Sequence, residues 1–297
     1  MLASGNSLWA FQSPEQLTAL AATPRRLDWP TPRQLAAASN AQAKALKAVK
    51  GRVAVLPVYG LIQQRWDAWM YWYGGTSTEL LGRAMESLAA TREVEAIVLD
   101  VDSPGGTIYG VQETAELIYS LRSTKPIIAV CNSLMASAAY WLGAAADQVY
   151  MTPGGDAGSV GVYLMHFDYS QMLEAEGIKV TFVQAGKYKT EGNSYEPLPD
   201  DARDFLQQSV DESYTTFVKA VAKYRDVSVK DVRAKFGEGR CLGAPAALEA
   251  GMVDKIGTLR DVLGKLTGSQ STGAKAAADV LRRRQAWRKI QAQAFRA

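Results

Sequence analysis

Apolar residues run without a polar break through AIVL (96–99) and PIIAV (126–130), and nearly so through RVAVLPVYGLI (52–62). A strand with one wet face alternates apolar and polar positions, whereas a strand covered on both faces does not. These runs therefore predict strands of a largely parallel sheet with helices on either side. QVYMTP (148–153) and GIKVTFVQAG (177–186) predict two more strands. Between the runs the spacing changes to that of a helix. Leu80, Leu81, Ala84, Met85 and Leu88 share one face of TSTELLGRAMESLAAT, and Ile108, Val111, Ala115 and Ile118 share one face of TIYGVQETAELIYSLRS. MASAAYWLGAAAD predicts a third helix. PDDARDFLQQSVDESYTTFVKAVAKYRD predicts a long amphipathic one, with Phe205, Val210, Tyr214, Phe217 and Val221 on its apolar side. SVKDVRAKF and GAPAALEAG read as short helices, and MVDKIGTL closes the alternating region.

The ends differ from this middle. Residues 1–50 are rich in Ala, Gln and Pro, and PRQLAAASNAQAKALKAVK predicts a helix. TGSQSTGAK is a polar linker, and AAADVLRRRQAWRKIQAQAFRA beyond it predicts a basic helix. The division expected is a helical extension over 1–50, one catalytic domain over 51–265, and a linker with a basic helix over 266–297. The net charge of +3 hides basic ends on an acidic middle. Basic ends suit solvated helix faces or an acidic partner, and nucleic acid is conceivable only through the C-terminal helix. No run approaches the roughly 20 apolar residues of a membrane span, and the N-terminus reads as no secretory signal. The expected location is the cytoplasm, with Cys131 and Cys241 as reduced thiols.

Two stretches carry candidate chemistry. In DSPGG (102–106), Pro-Gly-Gly after a strand can expose backbone N–H groups to a phosphate or to the oxyanion of acyl transfer, or can simply make a tight turn. In NSLMASAAYWLGAAAD, Ser137 falls near the first turn of a helix, where the dipole favours developing negative charge. The same small residues suit close helix packing. A serine nucleophile needs a base. His166, the sole histidine, with Asp168 is one option. Lys187 or Lys189 in GKYKTEG is another, provided the amine is desolvated.

DSPGG, MASAAYW, AGSVGVY, GKYKTEG and ALEAGMVDKIG, in that order, resemble the signal-peptide-peptidase-A family of Ser-Lys peptidases across Val53–Leu259. The resemblance implies an α/β fold of the Clp-protease/crotonase kind, a repeated ββα superhelix. It implies Ser137 as nucleophile, Lys189 as base and Ser159 as the residue orienting the lysine. Gly105, Gly106 and Ala138 would supply the oxyanion hole, with no metal or cofactor. Where many members have Gly-Gly after the serine, this chain has Ala138-Ala139. Members form homo-oligomeric rings and act on proteins. A single catalytic domain without an anchor is similar to the head-maturation peptidases of tailed bacteriophages, which process scaffold and capsid proteins. The aromatic run Trp66, Trp69, Tyr71, Trp72 and Tyr73 suits packing, an oligomer contact or, with Gly161, an apolar substrate groove. The alternatives are a cellular peptidase of the same family, an idle scaffold, a crotonase-like thioester enzyme, and a nucleic-acid module built on 266–297.

Overall fold

The uninterrupted apolar strands alternate between two cores rather than between core and water. In β4 (Ala96–Thr107), Ile97 and Leu99 enter one cluster and Val98 the other; in β5 (Ile127–Ala136), Ile127 and Ala129 oppose Ile128 and Val130. The structure, a computed structural model, describes residues 9–11, 31, 33, 34, 36, 37, 40, 52–67, 70 and 74–268. Most of the expected 32–50 helix, all of the basic C-terminal helix, and Trp69, Tyr71, Trp72 and Tyr73 lie outside these residues. Those described between 33 and 40 are helical.

β2 (Val53–Gln63), β4, β5 and β6 (Gln148–Met151) pair in parallel, flanked by β3 (Thr76–Ser77) and β9 (Lys255–Ile256). Three short strands join off this path. β1 (Trp9–Phe11) pairs antiparallel with β4. β7 (Asp156–Gly158) pairs in parallel with the end of β5, and β8 (Cys241–Gly243) pairs antiparallel with β7. One face of the sheet packs against α1 (Thr78–Ala90), α2 (Val111–Leu121), α3 (Ala138–Ala144) and α5 (Asp200–Arg225). The other face, with Val53, Val98, Ile128, Val130 and Tyr150, is covered by Leu259, Val262 and Leu263 of α8 (Leu259–Thr267). Side-chain caps fix where several helices start. Ser77 accepts from Leu80 N–H at α1, and Thr258 with Asp261 forms a reciprocal capping box at α8. Between β7 and α5, the only helix among the described residues is the one-and-a-half-turn α4 (Ser170–Ala175).

Three expectations need correction. DSPGG is not a turn: β4 runs through it, because β2 pairs with Gly105 and Gly106 on one side and β1 on the other. The third helix does not begin at Met135: β5 continues to Ala136, held by β7, so Ser137 is the junction itself. GIKVTFVQAG forms no strand, and Ile178, Val180 and Val183 are exposed. Its β-branched residues favour a strand, but a strand needs a free ladder. β6 is already flanked by β5 and β9, and β7 by β5 and β8.

Candidate active site at the strand-to-helix junction

Ser137 turns the chain from β5 into α3 in one residue. Its backbone has φ 55° and ψ −119°, outside the regions open to ordinary L-residues. Such strain, of order 1–3 kcal/mol, persists only where the surroundings over-determine it. Here they do. Ser137 N–H donates to Gly158 C=O at 2.6 Å on one side, and Ser137 C=O accepts from Trp141 N–H at 2.9 Å on the other. α3 is itself anchored. Trp141 stacks on Phe217 of α5 with ring centroids 4.4 Å apart, and Tyr140 donates its hydroxyl to Met252 C=O at 2.9 Å. The seven helix residues are all buried. Burial also pushes the Tyr140 phenol well up, so it stays a neutral donor. Ser137 is fully buried, and its Oγ has no hydrogen-bond partner among the described residues. An orphaned buried hydroxyl on a strained elbow costs stability that simple packing would not require.

The glycine segment lies alongside. Ser103 of β4 pairs with Met135 of β5. Two residues further along each strand stand Gly105 and Ser137. Gly105 has φ 101°, a conformation that disfavours any side chain. Gly106 touches β2 so closely that an added Cβ would sit 1.8 Å from Ile62 O. Ser103 is a contributor the sequence reading missed. It is fully buried, donates to Gly60 C=O at 2.6 Å, and accepts the Gly105 N–H at 3.1 Å. That N–H is thus already held by a neutral hydroxyl. Asp100, also missed and fully buried, receives Asn132 Nδ2–H at 2.8 Å and the Tyr59 hydroxyl, tying β2, β4 and β5 together below the site. The only sequence signal for either residue is a polar side chain inside an apolar strand.

Ser159 directly follows β7. Its φ is 53°, it is buried, and its N–H donates to Arg240 C=O at 2.8 Å. Because Gly158 receives the Ser137 N–H, Ser159 stands one residue from a contact of the junction. Gly161, two residues on, is half-buried and approaches Gly239. Lys189 is not brought to Ser137 in this chain. It lies exposed in the loop after residue 176, where its N–H donates to Gly186 C=O at 3.1 Å. Lys187 is exposed beside it and donates to the Tyr188 hydroxyl. The histidine alternative is not assembled either. His166 Nε2 meets Asn193 C=O at 2.9 Å, and Asp168 accepts Ser170 N–H at 2.8 Å. The Ser170 bonds hold the Asp168 carboxyl below its ordinary range.

A thiol nucleophile is disfavoured as well. Burial lifts Cys131 to about 12 and Cys241 to about 11, so neither carries a reactive thiolate near neutrality. No helix of the described residues is long and apolar enough to cross a membrane.

The profile of Peptidase family S49 matches residues 120–272, just over half of the sequence, which includes Ser137, Ser159 and Lys189. The head-tail preconnector protein GP5 of Enterobacteria phage P21 is 32% identical over 221 residues, 74% of this chain and 44% of that protein. Capsid assembly protease C of Escherichia phage lambda is 32% identical over 222 residues, 75% of this chain and 50% of that protein. The chain thus spans about half the length of these relatives. Among solved structures, a point mutant of ClpP1 from Listeria monocytogenes overlays with a TM-score of 0.44 at 13% identity, covering 75% of this chain and 98% of that one.

Proposed function

The chain belongs to peptidase family S49, and from that premise we propose that it is a serine endopeptidase with Ser137 as nucleophile and Lys189 as general base. The observation that carries this reading is the buried, partnerless Ser137 hydroxyl held on a strained strand-to-helix junction. Nucleophile elbows likewise hold a serine on a strained strand-to-helix turn. Lys189 reaches the site when its exposed loop folds over a bound polypeptide or against a neighbouring copy. Taken out of water, the lysine amine accepts the Ser137 proton as Oγ attacks the substrate carbonyl. The oxyanion is held by Ala138 N–H and by Gly105 N–H, with Gly106 beside it. Gly105 N–H exchanges Ser103 Oγ for the charged oxygen, which is the stronger acceptor. Lys189 then returns the proton to the leaving amine, and water added with the same base releases the acyl group. Ser159, next to the junction contact Gly158, positions the lysine.

The relatives support one substrate class. Capsid assembly protease C of phage lambda carries capsid assembly in its name, and processing of scaffold or capsid proteins during head assembly is the reading we favour for this chain. The site of action is then the host cytoplasm or a prohead within it. The exposed apolar side chains Ile178, Val183, Tyr188 and Tyr195 in the segment bearing Lys189 suit contact between copies in a ring. An apolar substrate groove that includes Trp69 and Trp72 belongs to the same reading. Nucleic acid remains a partner only for the basic 266–297 segment.

The test is cleavage of candidate capsid and scaffold proteins, with products identified by mass spectrometry. Ser137→Ala and Lys189→Ala should each lower the rate by about 10³-fold or more, while Lys187→Ala keeps it within a few-fold. Wild-type rates in either of the first two variants would refute the dyad. Loss of cleavage in His166→Ala with an intact fold would favour histidine instead.

A further inference from the structure

β1 occupies the side of the glycine segment that β2 leaves open. Leu61 and Ile62 of β2 already pair with Gly105 and Gly106 on one side of β4. On the other side the β4–β5 pairing ends at Ser103–Met135, while β5 pairs with β7 along its opposite edge over Leu134–Ala136. β1 fills the gap that opens there, antiparallel, with Phe11 opposite Gly105, Ala10 opposite Gly106 and Trp9 opposite Thr107. The segment therefore lies on the side of β4 that faces the Ser137 end of β5, and Phe11 comes level with Gly105, two residues past the last β4–β5 pair.

We propose that residues 9–11 of this chain act as a tethered competitor, occupying the β4 edge Gly105–Thr107 along which the acyl half of an extended polypeptide substrate would lie. The inference rests on the serine-peptidase reading given above. Direction and register support it. A polypeptide running antiparallel to β4 from Thr107 towards Gly105 meets Ser137 and Ala138 at its C-terminal end, which is where a scissile carbonyl has to lie. β1 runs in that direction. An edge that accepts main-chain hydrogen bonds from one extended segment accepts them from another, so sequence demands on the occupant are light. Three residues of ladder form a weak contact, but a tether raises the local concentration of the segment to about the millimolar range. Weak substrates are then excluded, while extended segments presented at high local concentration displace β1.

The experiment uses the full chain carrying Ser137→Ala, so that binding is read without turnover. A fluorescein-labelled peptide of residues 6–12 is titrated by fluorescence anisotropy against this protein and against the same protein with Ala10→Pro and Phe11→Pro. Neighbouring residues of a strand point their N–H groups to opposite sides, so one of the two prolines removes a β1 donor to β4. An unchanged urea midpoint confirms the fold. The expected result is binding at least about tenfold tighter to the proline variant, and loss of that binding when the peptide itself carries the two prolines. Equal affinities for the two proteins, or equal binding of both peptides, overturns the proposal. Hydrolysis of an unrelated peptide by the proline variant with Ser137 restored is measured in parallel. A binding difference without hydrolysis leaves the groove standing and removes the peptidase reading. Hydrolysis without a binding difference does the reverse.

Discussion

Replacing Ser137 by Ala should make the protein more stable while abolishing its chemistry. The hydroxyl is buried with no partner among the described residues, and a polar group left in that state forgoes about 1–3 kcal/mol. Alanine removes the hydroxyl and keeps Cβ, so the strain at φ 55° remains. The expected gain is about 1–2 kcal/mol. Ser137→Gly removes the strain too, worth of order 1–3 kcal/mol, against about 0.5–1 kcal/mol of extra unfolded-state entropy. Glycine should therefore equal alanine or exceed it by up to about 2 kcal/mol. The assay is urea denaturation followed by far-UV circular dichroism for wild type, both variants, and Ser133→Ala as an exposed control on the same strand. The control should stay within about 0.5 kcal/mol of wild type. A Ser137→Ala protein less stable than wild type by 1 kcal/mol or more would sink the reasoning, because the hydroxyl would then have to be making a favourable bond.

Other consequences are equally direct. Gly158→Ala brings a Cβ to 2.6 Å from Arg240 O at a φ of 133°; it should cost about 3 kcal/mol or more and abolish Ser137 labelling by a fluorophosphonate, and undiminished labelling would contradict the junction described. Phe217→Ala removes the ring stacked on Trp141, and the urea midpoint should report a loss of about 3–5 kcal/mol. Asp254 is half-buried, and burial alone would raise its carboxyl. The paired bonds from Arg225 at 2.6 and 3.0 Å and the Val149 N–H at 2.7 Å outweigh this and hold it below the ordinary range. The folded chain then binds this proton less readily than the unfolded chain. The stabilisation is complete above the ordinary carboxylate range and fades as pH falls through the lowered value. Urea midpoints between about pH 3 and 6 should show a shallower rise in Asp254→Asn than in wild type, and identical slopes would refute the assignment.

The strands of the central sheet and the helices between them were legible because burial on two faces leaves an unmistakable run of apolar residues, as in Ile97–Leu99 and Ile127–Val130. Ser137 could be singled out as a candidate because small residues follow a buried strand, but its backbone strain could not. The strain depends on β7, whose Gly158 carbonyl comes from 21 residues away in sequence to hold the junction. The 177–186 segment misled for a related reason. Side-chain shape proposes a strand, yet only the sheet decides whether an edge is free, and β8 and β9 had taken the nearby edges. Nor could the DSPGG motif announce that it lies flat within a ladder, with Ser103 holding the Gly105 N–H.

What the sequence determined by itself was local: periodicity, caps, and a short list of residues able to act as nucleophile, base or donor. Tertiary structure decided which of them meet. It set Ser137 beside the glycine edge, left Lys189 on an exposed loop, and laid residues 9–11 along β4. The physical reason is that strand pairing joins distant segments through backbone hydrogen bonds that all residues but proline can make, and such bonds leave little trace in side-chain chemistry.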